Sequence, residues 1–241
     1  MGSTGAAYRS SQVTQIDGTK ITLSSPLVYG TDKGKADLPQ DVKDFEEKRV
    51  KNKVEYGKIV LKDGTVQPEI KGNKSSTPMP VTDLRNAQLV THIHPRTGNE
   101  QGTIGGTFSK ADMSMFTRYP VNTMRAVAGE GAYSITKSDK LLSDVGLQKD
   151  LYNAYSKFHA TQDREYNDKI SEWTRTVGDV RLKSIAESPT TRAEKIEALQ
   201  QLNKDFVQVQ VNAHNDQLVE LHNWLRDNQR AYGYTYALER R

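Results

Sequence analysis

The chain has 241 residues, 27% of them charged and 35% hydrophobic, with a formal net charge of +4. That length suffices for one good core and a further element, and no apolar run approaches a membrane span. The small, dispersed charge argues against a nucleic-acid partner, and the lack of cysteine excludes disulfides, thiolate catalysis and Cys-ligated zinc, leaving His and carboxylate as metal donors.

The first segment, 1–36, is polar and punctuated by glycine. Met1 to Ala6 lacks the basic and apolar regions of a secretory leader, and Ala6 breaks the myristoylation pattern, so a cytoplasmic protein with no membrane partner is expected. Gln12–Ile16 and Thr19–Leu23 flank Asp17-Gly18, which is the turn chemistry of a tight hairpin. This hairpin reads as a small decorating arm.

The second segment, 37–140, opens with a helix. Asp37 can cap it, Pro39 suits its first turn, and Val42, Phe45 and Val50 give a partial apolar stripe as far as Lys53. Val54–Leu61 and Thr65–Ile70 around Lys62-Asp63-Gly64 then read as a second hairpin. Residues 71–87 show no period. Gln88-Leu89-Val90 reads as a buried strand that runs into Thr91-His92-Ile93-His94 and is stopped by Pro95-Arg96-Thr97-Gly98. Side chains alternate along a strand, so His92 and His94 share a face, and two imidazoles so spaced can hold one metal ion. Ser109 caps a helix that runs to Tyr119, with Asp112 in its first turn and Met113 and Phe116 as core residues. Val121–Ala128 and Ala132–Thr136, around Gly129-Glu130-Gly131, make a third hairpin.

The third segment, 141–230, is helical. Apolar residues recur from Leu151 through Tyr155, Phe158, Tyr166, Ile170, Trp173 and Val177 to Val180 at helical intervals; Ser188-Pro189 interrupts, and Thr191-Arg192-Ala193-Glu194 is a capping box for a second stripe from Ile196 to Leu225. Two helices of roughly 35 residues, each about 50 Å long, predict an antiparallel hairpin. His159, His214 and His222 stand isolated there and read as structural or exposed. The last segment, 231–241, alternates through Tyr232, Tyr234 and Tyr236; it is either a strand added to the sheet or an exposed interaction surface.

One part of this pattern matches a known family. His92-Ile93-His94-Pro95 followed by Ser109-Lys110-Ala111-Asp112 resembles the JAMM motif of the MPN/JAB metalloproteases, H-x-H-P and then S-x-x-D, with a Glu on an earlier strand. The resemblance covers about residues 40–140 and implies an α/β fold: a cytidine-deaminase-like mixed sheet with flanking helices, to which the long antiparallel helical hairpin is attached. It also implies that His92, His94 and Asp112 bind Zn2+, that a Glu is the general base and that Ser109 helps to bind the oxyanion. Glu55, at the start of its strand, is the candidate base, with Glu69 its main rival and Glu46 and Glu47 further back.

Two features depart from the family pattern. Glu55 and Gly57 are two residues apart where the family has three, and the fourteen residues between His94 and Ser109 exceed the usual spacer by about half a dozen. The extra length, Thr97 to Thr107, reads as an exposed, mobile loop at the rim of the site. The implied activity is zinc-dependent hydrolysis of a peptide or isopeptide bond in a protein substrate, such as a ubiquitin-like or phage or bacterial conjugate, with the helical arm open to a protein partner. The alternative is a non-catalytic binding or assembly protein that uses the arm and keeps a vestigial metal site. A cupin would need a Glu and a Gly at spacings not found after His94, and an amidohydrolase barrel would need many more βα units.

Overall fold

The structure is a computed structural model that describes residues 11–15, 18–23, 27–28, 38–95 and 104–240. Strands β1 (Ser11–Thr14) and β2 (Lys20–Leu23) pair antiparallel, with Gly18 at φ 83° in the turn, a conformation open to glycine and costly for most side chains. Val13, Ile21 and Leu23 are buried in the main core, so this hairpin is part of the body and not a surface decoration. Asp37 lies outside the described residues. Helix α1 (Gln40–Arg49) starts behind Pro39, which is its N-cap residue without a side-chain cap, and ends short of Lys53.

Strand β3 (Tyr56–Leu61) is followed by a turn with Gly64 at φ 87°. Its return partner is broken: the expected strand 65–70 reduces to one bridge between Val60 and Val66 and the two-residue β4 (Ile70–Lys71). A one-turn helix α2 (Val81–Leu84) sits in the connection that had no period. Next come β5 (Ala87–Ile93), α3 (Lys110–Arg118) and the hairpin of β6 (Thr123–Ala128) and β7 (Gly131–Lys137). After a short α4 (Asp139–Ser143), helix α5 (Val145–Trp173) continues through a π-helical turn at Thr174–Gly178 into α6 (Asp179–Glu187). Helix α7 (Arg192–Asp227) returns, and α8 (Gln229–Tyr232) leads to β8 (Tyr234–Glu239). Both halves of the Thr191/Glu194 capping box are present.

The main sheet has the order β4-β3-β5-β6-β7-β8. Among the described strands only β5 and β6 run parallel, and α3 lies in the crossover between them. A crossover helix runs back along the sheet, so the start of α3 lies at the carboxyl end of β5, the edge at which open α/β sheets build their sites. Helix α1 covers one face through Val42 and Phe45, which pack with Val60 and Leu89 and with Ile93 and Val127. Helices α3, α5 and α7 cover the other, where Phe116, Leu151, Tyr155, Val219 and Leu225 join Met124, Tyr133 and Ile135.

Strand β8 alternates as expected, with Tyr234, Tyr236 and Leu238 buried and Thr235 exposed, and it is paired along β7 in the sheet. The core cluster against α5 and α7 runs from Val13 to Leu238 and so draws on every segment of the chain. The apolar stripes of the helical hairpin are buried only near the sheet. Further out, Val180 is 61% exposed and Ile196 47% exposed. No helix among the described residues is long and apolar enough to cross a membrane.

A buried charge network ties the layers together. The Arg125 guanidinium on β6 reaches Glu46 of α1 at 3.0 Å and Glu239 of β8 at 2.7 Å, and Glu46 also accepts the Thr91 hydroxyl at 2.8 Å. These pairs satisfy charges that would otherwise be costly to bury. They also remove Glu46 from the candidates for a catalytic base.

Candidate metal centre

Three side chains from two elements converge at the carboxyl end of β5. His92 is the last but one residue of β5 and His94 follows the strand, so the alternation of the backbone carries both rings to one side. Their Nε2 atoms are 2.9 Å apart, and Asp112 Oδ1 lies 3.3 Å from His92 Nε2 while Oδ2 lies 3.8 Å from His94 Nε2. One ligand atom from each residue falls within 4.8 Å of the others, a group able to hold a metal ion. Nitrogens bound at 2.0–2.1 Å to a tetrahedral ion sit about 3.3 Å apart, so the imidazole pair needs only a slight opening to accept one.

Local structure explains why Asp112 points inward. It is the third residue of α3, where a short acidic side chain can reach back to the helix start. Its Oδ2 accepts the Ser109 N–H at 2.8 Å and the Ser109 hydroxyl at 2.7 Å, while the Ser109 oxygen accepts the Asp112 N–H at 3.1 Å. One carboxylate oxygen is thus anchored in a capping box and the other faces His92. The Ser109 proton is committed to Asp112 in this arrangement, so Ser109 acts here as a positioning residue.

His94 is oriented from its other side. Its Nδ1 lies 3.2 Å from the carbonyl oxygens of both Gly105 and Gly106. A carbonyl only accepts, so Nδ1 carries a proton; the Nε2 on the Asp112 side donates to that carboxylate when the ring is charged and is free to ligate when the ring is neutral. Glu130, at the β6–β7 turn, holds those glycines in place: its carboxylate accepts the Gly105 and Gly106 N–H groups, each at 2.9 Å, and the Tyr133 hydroxyl at 2.7 Å. No local sequence signal marks Glu130, which reads only as a turn residue. Residues 97–103 of the expected mobile loop lie outside the described residues, but its last four are neither exposed nor loose. Ile104 and Thr107 are buried, and the Ile104 N–H is held by Asn215 of α7 at 3.0 Å.

Sheet register places Glu55 beside the cluster. Gly57 of β3 pairs with His92, and two more steps along that antiparallel register bring Glu55 opposite His94 on the same face. Glu55 accepts the Thr77 hydroxyl at 3.2 Å and lines the same cleft as His92, His94, Ser109 and Asp112. Its rival Glu69 is bound to Arg49 at 2.6 Å and to Lys48 at 3.2 Å, and is absent from the lining of that cleft.

The electrostatics match this grouping. Burial pushes the Glu55 carboxyl up and outweighs the downward pull of His92 and His94. Burial pushes Asp112 up too, but attraction to His92 and hydrogen bonds from both rings outweigh it and hold Asp112 well below the usual carboxylate range. Burial lowers His94, yet its hydrogen bond and attraction to Asp112, with help from Glu55, raise it overall. The carboxylates therefore set up a negative potential at the imidazoles, which favours a bound cation as it favours a proton.

The remaining histidines lie outside this group. His159 pairs with Asp163 at 3.2 Å and His222 with the Tyr236 hydroxyl at 2.9 Å, while His214 lies edge-on to Tyr166 and reaches the cleft wall. No family model, curated protein or solved structure matches this chain.

Proposed function

We propose that the chain is a zinc-dependent hydrolase of peptide or isopeptide bonds, of the JAMM type and with a JAB/MPN-like sheet, acting on a protein substrate. The observation that carries this reading is the convergence of His92, His94 and Asp112 with a half-desolvated Glu55 in one cleft. Three protein donors leave a fourth position for solvent, the arrangement of catalytic and not structural zinc. Zn2+ held there would polarise the scissile carbonyl and lower the pKa of the attacking water.

The chain's own groups perform the proton transfers. Glu55 removes a proton from the water as its oxygen bonds to the carbonyl carbon, then delivers that proton to the amine nitrogen as the C–N bond breaks. The same carboxyl carries the proton between the two steps, as its place in the cleft beside His92 and His94 allows. Ser109 fixes Asp112; contact with the oxyanion would require its hydroxyl to turn away from Asp112 Oδ2.

The exposed Val180, Leu182, Ile196 and Leu199 of the outer hairpin favour the alternative, an assembly protein that docks through its arm. Metal analysis and activity separate the two. Purified protein is expected to carry close to one zinc per chain, and His92→Ala to lose it; equal metal content in both overturns the hydrolase reading. Glu55→Gln is expected to keep zinc and fold while hydrolysis falls about 100-fold or more. Undiminished activity in that variant would reject Glu55 as the base.

A further inference from the structure

Away from the ligands, the cleft changes character. Leu84 is buried, and Met79, Met115 and Tyr119 are half-buried and pack on the cluster of Ile59, Val90 and Val121; all four line the same cavity as the ligand triad. Gly57 explains how this wall comes so close to His92. A Cβ at Gly57 would collide with the Met79 thioether methyl, so glycine lets residues 77–79 lie directly over the start of β3.

The wall is flanked by cations. Lys74 and Arg118 are exposed and line the cavity, and neither meets a carboxylate among the described residues. The acidic groups on the lining, Glu55 and Asp112, face the imidazoles instead. A volume of about 550 Å3 accommodates one apolar side chain and a short stretch of backbone.

We propose that this cleft binds an extended acidic peptide, seating an apolar side chain against Met79, Leu84, Met115 and Tyr119 and a neighbouring carboxylate on Arg118. Lys74 adds to the attraction. A guanidinium takes a carboxylate in a two-point hydrogen bond, whereas a basic neighbour at that position meets only like charge. The proposal rests on the hydrolase reading for the location of the scissile amide at the triad, but peptide selection can be measured without turnover.

The test is binding of fluorescent, end-blocked hexapeptides to full-length Glu55→Gln protein with added zinc. Peptides with Leu beside Asp are expected to bind about tenfold tighter than those with Lys for Asp or Ser for Leu, and added salt should weaken only the acidic preference. Arg118→Gln should abolish that preference and Arg118→Glu reverse it; circular dichroism checks that both variants fold, as the exposed position of Arg118 implies. Equal affinity across the peptide set, or an unchanged preference in Arg118→Glu, overturns the proposal. Selective binding with no cleavage by the wild-type chain would remove the hydrolase reading and leave this one standing; cleavage without sequence preference would do the reverse.

Discussion

Asp112 serves two structures through its two oxygens. Oδ2 completes the cap of α3, and Oδ1 faces His92, so the helix start and the metal cluster are set by one rotamer. Glu130 does comparable work from further away by holding the Gly105-Gly106 carbonyls on His94 Nδ1. In Glu130→Gln one glycine N–H loses its acceptor to an amide NH2, so zinc affinity measured by chelator competition is expected to fall about 10–100-fold while the fold survives. Unchanged affinity would show that the glycine carbonyls need no such support. The three residues of the candidate metal group were legible in the sequence because strand alternation and helix capping are local rules. Glu55 was legible only as one of several carboxylates, since choosing it over Glu69 needs the β3–β5 register. Glu130 was illegible because its role depends on a loop packed against it from 24 residues away.

At the scale of elements, β8 seals the sheet against α7 through a polar contact in an apolar setting. The Tyr236 hydroxyl lies 2.9 Å from His222 Nδ1 and 3.1 Å from the Thr107 hydroxyl, beneath buried Tyr133. Burial, helped by the nearby Arg226 charge, lowers His222 from 6.5 to about 4. Between those values the unfolded chain binds a proton that the folded chain refuses, so stability falls as the pH drops through this window. The loss approaches about 3 kcal/mol near pH 4. Urea midpoints measured at pH 7 and pH 4 should show the wild type losing that much more than His222→Gln; parallel losses would mean that His222 is protonated in the folded state. The sequence offered no hint of this contact, because His222 and Tyr236 meet only once α8 has turned the chain at Gly233, φ 69°.

On the scale of the whole molecule, the hairpin has an inner half that belongs to the core and an outer half that does not. Leu151, Tyr155, Val219 and Leu225 are buried, whereas Val180, Leu182 and Ile196 are exposed. Helical periodicity located both stripes, but periodicity cannot say how far a second layer extends over each. The Trp173 and Phe206 rings meet at a tilt across the two helices, centroids 5.4 Å apart, which marks a place where the arm can be shortened. Replacing residues 175–204 by a short turn is expected to leave zinc content unchanged and to shift Tm by only a few degrees. Loss of zinc or global unfolding would assign the outer arm a structural role.

The edge strand β8 pairs with β7 across nearly a hundred intervening residues, and almost all of those are helical. Closing a flexible loop of that length is entropically expensive, but the two long helices associate through contacts near in sequence and carry their ends back to the same place. If the arm zips first, it leaves only a short tether between β7 and β8, and substitutions at its inner half should then slow folding more than they speed unfolding, which chevron plots would show.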